Sequence, residues 1–219
     1  MTTTDTDANL GVEAATPRRS RARRGQGELL RADILAAAER LLIETGDEAA
    51  VSIRAVAKAV GVTPPSIYLH FADKTELIFQ VCQVHWTRFN DHLAAAVAGV
   101  EDPVDRLRAC GRAYLEFGLA NPEHYRILFM GKPSELPTDV DMDELMASGG
   151  FGYVSQAVGE AVAQGKLVGD PTFIVYQAWS MVHGLVSLHI AHADLPWPDL
   201  EALHDHCMLS MVRGLASQA

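Results

Sequence analysis

The sequence predicts an all-α protein in two parts, an N-terminal three-helix unit built around a helix-turn-helix and a larger helical body behind it. Three observations predict this. Residues 51–77, VSIRAVAKAVGVTPPSIYLHFADKTEL, read as two short helices joined by a tight turn, with a third helix starting at once. Past Lys74 apolar residues recur at helical spacing, and no convincing period-two strand interrupts them. The charge also divides with the pattern: residues 18–80 hold 10 Lys/Arg against 8 Asp/Glu, whereas residues 81–219 hold 8 against 17.

In chain order, residues 1–25 form an expected disordered basic arm, with Arg18, Arg19, Arg21, Arg23 and Arg24 just ahead of the first helix. No apolar h-region precedes them, so no secretory signal is expected. Residues 26–75 form the first unit. Ile34, Leu35, Ala38, Leu41 and Leu42 recur on one face of its first helix, which Gly46 ends. Ser52 is a hydroxyl N-cap, followed by an apolar stripe at Ile53, Val56, Ala57 and Val60. Gly61 stands where the helix must stop, since a residue without Cβ takes the left-handed conformation there without strain. Val62 points inward, Thr63 caps the next helix, and Pro64 and Pro65 fill its first turn, where backbone donors lack intrahelical partners anyway. Small Ala55 and Ala59 let two helices cross closely. In such a motif the second helix enters the major groove, so the pattern predicts DNA binding.

Residues 76–219 form the second unit. A long helix is expected over 73–98, with Leu77, Ile78, Val81, Cys82, His85, Phe89 and Leu93 on one side. Another follows over 103–119, and Asn121-Pro122 opens a short one containing Tyr125, Ile127, Leu128 and Phe129. Residues 131–140, GKPSELPTDV, carry two prolines and a glycine and read as a loop. A helix over 144–164 is weakened at its start by Gly149, Gly150 and Gly152. The segment 173–193 is apolar almost all round, which requires cover on every side: core on one face and a second copy of the chain on the other. With a final helix over 199–215, it predicts a four-helix homodimer interface. Two copies are also what a helix-turn-helix protein needs to reach half-sites roughly 34–36 Å apart on a palindromic duplex.

The net charge of −10 argues against DNA binding only if it is spread evenly, and it is not. The helix-turn-helix region carries the positive potential that phosphates respond to. Three scattered cysteines, Cys82, Cys110 and Cys207, suggest a reducing cytoplasm with no disulfide framework. No uninterrupted apolar run reaches the ~18 residues a membrane crossing needs, so no membrane partner is expected.

The sequence resembles the tetracycline-repressor (TetR) family at Gly61-Val62-Thr63, Tyr68-Leu69-His70-Phe71, Lys74 and Leu77, where that family shows a Gly-Val-[Ser/Thr] turn, Tyr-x-His-Phe, a Lys and a Leu. The body resembles one C-terminal type in the family through Trp179-Ser180-Met181-Val182-His183-Gly184, a Trp-x-x-x-His-Gly (WHG) signature. The resemblance implies DNA-facing roles for Ser52, Arg54, Thr63, Pro65, Ser66, Tyr68, His70 and Lys74. Ser52 and Arg54 would reach phosphate, and Thr63 would hold one through its hydroxyl and nearby backbone N–H groups. Phe71 belongs to the core.

The body then holds a candidate effector pocket at Trp86, Phe89, Tyr114, Phe117, Tyr125, Phe129, Tyr176, Trp179 and His183, with Phe151 nearby. Small-molecule sites between bundled helices are apolar with few polar groups. The spacing of Trp179 and His183 puts them on one helical face, and Gly184 lets a neighbouring helix approach. His183, His189, His192, His204 and His206 suggest no recognisable metal-ligand set, so no metal is expected and no cofactor. No phosphate-binding glycine loop or nucleophile motif points to catalysis. The function expected is a cytoplasmic, homodimeric transcriptional repressor, not an enzyme, released from its operator by a small apolar or aromatic ligand. The alternatives are an activator of the same fold, or a carrier or enzyme retaining a helix-turn-helix.

Overall fold

A computed structural model describes residues 26–130 and 148–216. It contains α1 (Gln26–Thr45), a 3-10 turn (Glu48–Ala50), α2 (Ile53–Val60), α3 (Pro64–Ile67), α4 (Lys74–Val97) and α5 (Pro103–Ala120). These are followed by α6 (Pro122–Tyr125), which runs into a π-helical turn (Arg126–Met130), then α7 (Gly149–Ala163), α8 (Pro171–Ala191) and α9 (Leu200–Leu215). No strand occurs among the described residues, and the all-α expectation holds. The basic arm and the loop expected over 131–140 lie outside the described residues.

The head folds by its caps. Ser52 accepts from Ala55 N–H and starts α2, and Gly61, at φ +79°, ends it with its N–H on Ala57 O. Asp73 accepts from Glu76 N–H and starts α4. Helices α1 to α4 then close on Ile34, Ala37, Val56, Ile67, Phe71, Leu77 and Ile78. Ile127, from the π-helical turn, packs on the same cluster, so the head and the body share a seam. The second helix of the motif is shorter than the sequence suggests. It ends at Ile67, and residues 68–70 form a turn held by His70 N–H and Phe71 N–H on Ile67 O.

α4 is the connecting rod. Its first half belongs to the head core through Leu77, Ile78 and Val81, and its second half to the body through Phe89 and Leu93. In the body, α5 packs against α4, α7, α8 and α9. Two of its glycines permit this. A Cβ at Gly118 would strike Val186 of α8 and Tyr125, and one at Gly111 would lie 2.6 Å from His204 Nε2 on α9. At Gly184 nothing among the described residues lies within 4 Å of where its Cβ would stand.

Helix α7 begins at Gly149 rather than at 144. Gly150 there allows contact with Leu93 and Phe89 of α4, and its N–H donates to Asn90 Oδ1 at 3.0 Å. The Gly169-Asp170-Pro171 punctuation is itself a helix start, since Asp170 accepts from Thr172 N–H and Pro171 opens α8. By length and a mean hydropathy of 1.2, α8 is long and apolar enough to cross a membrane, and here it packs on α5, α7 and α9. Ile174, Val175, Ala178, Val182, Val186 and Ile190 face that core, while Phe173 and Leu188 face out. Met211, which the sequence places in an intersubunit seam, is buried in the core of its own chain.

Candidate nucleic-acid interface and effector site

The head presents Ser52, Arg54, Thr63, Pro65 and Tyr68 on its surface, with Ser66 and His70 half-buried beside them. Ser52 spends its hydroxyl on the Ala55 cap, at 3.1 Å. Thr63 has the extended backbone of an N-cap but no side-chain cap bond, and its Oγ1 pairs with Ser66 Oγ at 3.0 Å. The backbone donors expected beside Thr63 are largely missing. Pro64 and Pro65 have no N–H, and Ser66 N–H donates to Thr63 O. Any anion here meets the hydroxyl pair. Leu69, the variable position of Tyr-x-His-Phe, is 83% exposed next to Tyr68. An exposed leucine of this kind offers the apolar contact a thymine methyl accepts. Phe71 is buried as expected, with the Arg31 guanidinium 5.1 Å from its ring centroid.

Lys74 is less free than the sequence suggests. Its Nζ donates to Glu48 O at 2.6 Å and ties the 3-10 turn to the start of α4. An ammonium has three donors, so a phosphate contact remains open to it. Replacing Lys74 with Ala is expected to weaken binding to all duplexes about equally and to flatten the salt dependence by roughly one counterion. Titrations of wild type and variant across ionic strengths measure this. An unchanged slope would confine Lys74 to the carbonyl of Glu48.

In the body, the candidate pocket residues fall into two groups that touch. Phe89 of α4 meets Tyr114, Phe117 and Phe129 edge-on with ring centroids 5.2–5.3 Å apart, and Trp86 meets both Phe89 and Phe129. Inside this aromatic shell lie three polar atoms. Tyr125 Oη is 2.6 Å from His183 Nδ1, Tyr114 Oη is 3.2 Å from the same nitrogen, and the two hydroxyls are 3.0 Å apart. Burial pushes the Tyr114 phenol up to about 12 and the Tyr125 phenol higher still, so both keep their protons. Burial holds the His183 imidazole below its usual range, which favours the neutral ring. Tyr176 does not join this group. It lies with Phe151 and Trp179 in a more exposed aromatic cluster, which Trp179 links to His183 at 5.6 Å.

The arrangement is a packed aromatic cluster around one hydrogen-bonded phenol–imidazole centre. No nucleophile is poised in it: Cys110 is buried, and its thiol is pushed up to about 12 by desolvation. The histidines that the sequence singles out do not converge. His183 joins the tyrosines, His189 packs on Trp197, and His204 is buried beside Gly111. The histidines that do converge, His85 and His124, meet Glu39. Glu39 and His124 are 85 positions apart, so no local spacing announces them.

Residues 34–81 match the family described as bacterial regulatory proteins, tetR family, and residues 107–211 match the tetracyclin repressor-like C-terminal domain. The HTH-type transcriptional activator FasR of Mycolicibacterium smegmatis is 31% identical over 99 residues, covering 45% of this chain and 45% of that protein. The match therefore spans less than half the length of that curated relative. A solved protein of unknown function from Rhodococcus sp. RHA1 superposes with a TM-score of 0.69 at 25% identity, over 86% of this chain and 95% of that one. The fatty acid degradation regulator FadR from Bacillus halodurans superposes with a TM-score of 0.63 at 18% identity, over 87% and 97%, and shares the fold.

Proposed function

Because the chain belongs to the tetracycline-repressor (TetR) family of DNA-binding transcriptional regulators, we propose that it is a cytoplasmic homodimer that represses from a palindromic operator and lets go when a small apolar or aromatic ligand enters the body. One observation carries this reading. His124 and Tyr125 are consecutive, and they face opposite ways across the seam. His124 Nε2 lies 3.2 Å from Glu39 of the head helix α1, while Tyr125 Oη lies 2.6 Å from His183 in the aromatic site. A ligand that displaces Tyr125 therefore pulls on a residue holding the head. Phe89 gives a second path, since it stands in the aromatic site on the same helix whose first half completes the head core. The thermodynamic requirement is that ligand binds the DNA-incompetent arrangement more tightly.

A second reading, activation from the same operator, is favoured by the similarity to FasR, a transcriptional activator. Transcription from the chain's own upstream region separates the two, because added protein lowers it for a repressor and raises it for an activator. Absence of affinity for any duplex would favour the carrier or enzyme reading instead.

Tyr125→Phe tests the switch. It keeps the ring and removes the hydroxyl that meets His183. Operator affinity without ligand is expected to stay at the wild-type value, while affinity for a probe ligand falls roughly tenfold, as loss of one hydrogen bond worth about 1–1.5 kcal/mol implies. A medium-chain fatty acid and a bicyclic aromatic serve as probes, read by quenching of tryptophan fluorescence with Trp197 replaced by Phe. Trp179→Ala should also weaken probe binding, and by less in stability than the about 3–5 kcal/mol of a fully buried aromatic, because Trp179 is 36% exposed. Probe affinity untouched by both changes would move the ligand site away from His183.

A further inference from the structure

Three side chains distant in sequence converge where the head meets the body. Glu39 lies on α1, His85 on α4 and His124 on α6, and their potential ligand atoms all fall within 4.8 Å of one another. Glu39 Oε1 stands 3.2 Å from His85 Nε2 and 3.2 Å from His124 Nε2. The two imidazoles stack with centroids 4.1 Å apart. His85 is 1% exposed, and neither of its ring nitrogens has a partner with hydrogen-bond geometry. Leaving a buried polar atom unsatisfied costs roughly 1–3 kcal/mol, and Nε2, the nitrogen beside Glu39, is the one an ion would take up.

We propose that Glu39, His85 and His124 bind a divalent first-row transition ion, with Zn²⁺ the best match. Two imidazoles and one carboxylate are a donor set for such ions, whereas Mg²⁺ and Ca²⁺ take oxygen cages. Ligand atoms around a tetrahedral ion with bonds of about 2.0–2.1 Å stand roughly 3.3 Å apart. The 3.2 Å spacings from Glu39 to each histidine are close to that. Glu39 and His124 are 30% and 24% exposed, which gives the ion a way in and leaves its fourth position to water. In the stack the imidazole lone pairs run side by side, so an ion must tilt the rings to aim both at one point. His85 is fixed in the core, and His124 sits on a helix of four residues, so His124 is the ring that turns. The ion then pins α6 to α1 and α4. Resting on the regulatory reading above, it acts as a second effector at the seam across which the first one signals.

The test is a Co²⁺ titration of the untagged, chelator-stripped, full-length dimer, followed by visible d–d absorption. Wild type is expected to bind one ion per protomer, with bands that Zn²⁺ displaces. His124→Ala and Glu39→Gln change partly exposed positions and should keep wild-type circular dichroism while losing at least tenfold in Co²⁺ affinity. No bands in wild type would overturn the site, and so would bands that persist in both variants, which would place the ion on other histidines. Operator affinity is then measured with and without Zn²⁺. A shift present in wild type and absent in His124→Ala supports the coupling, and no shift in wild type overturns it. If the metal-free protein binds no duplex at all, the proposed function fails, and the absorption titration still decides the site.

Discussion

Phe71→Ala is expected to abolish operator binding by melting the head, leaving every DNA-facing side chain chemically intact. Phe71 is 1% exposed and closes a cluster made by Ile34, Val56, Ile67, Leu77 and Ile78. Truncating a buried phenylalanine costs about 3–5 kcal/mol, because the transfer energy is lost and a cavity stays behind. Whole domains are stable by only about 5–15 kcal/mol, and small ones sit at the low end. The Arg31 guanidinium over the ring loses its partner as well. The body has separate core clusters around Phe89, Tyr114 and Val186 and around Leu107, Val158 and Met208, so it should stay folded. Chemical denaturation followed by circular dichroism should therefore split into two transitions, with the head's moved to low denaturant. Tyr68→Phe is the matching control. Tyr68 is 54% exposed, so this change should leave both transitions in place while weakening DNA binding. A single unshifted transition and wild-type operator affinity for Phe71→Ala would contradict the packing described here.

The elements that the sequence displayed well are those whose causes are local. Ser52 and Gly61 cap α2 through bonds to residues three to four positions away, and the structure has both caps in place. The stripe Leu77, Ile78, Val81, Cys82, His85, Phe89 and Leu93 is likewise written in one helix, and all are buried but Cys82, which is half-buried. What the sequence hid is set by distant partners. Glycines at 149 and 150 look like helix breakers until Asn90, Phe89 and Leu93 of α4 are seen against them. Lys74 looks like a free cation until the Glu48 carbonyl is brought under it. Close approach within the chain falls to Gly111 and Gly118, whose partners His204 and Val186 lie far along the sequence. The candidate pocket was partly legible. Aromatic residues at helical spacing identified the shell, but the hydrogen-bonded centre of Tyr114, Tyr125 and His183 depends on α5, α6 and α8 meeting, and Tyr176 falls outside it.

If α8 and α9 form the proposed dimer interface, charge on their open face is expected to split the dimer and, with it, operator binding. On that face the described residues leave apolar side chains uncovered: Phe173 is 77% exposed, Leu188 52% and Leu209 37%. Nothing lies within 4 Å of a Cβ built at Gly184 or Gly214, so another pair of helices has room to approach. Leu188→Asp and Leu209→Asp change residues that are exposed in the single chain, so each protomer should fold with wild-type circular dichroism. In the dimer the new carboxylate is buried without a partner, and an uncompensated buried charge costs about 3–5 kcal/mol. That is roughly a hundredfold to several thousandfold in the association constant, and symmetry places the defect on both copies. Operator affinity should fall with it, since one head reaches one half-site and not two. Met211→Glu gives the contrast. Met211 is buried in its own protomer's core, so this change should unfold the chain rather than yield a folded monomer. Sedimentation equilibrium distinguishes these outcomes. A folded, fully dimeric Leu188→Asp, Leu209→Asp double variant would exclude this face from the interface, because no arrangement of two helix pairs across it can hide four carboxylates without cost.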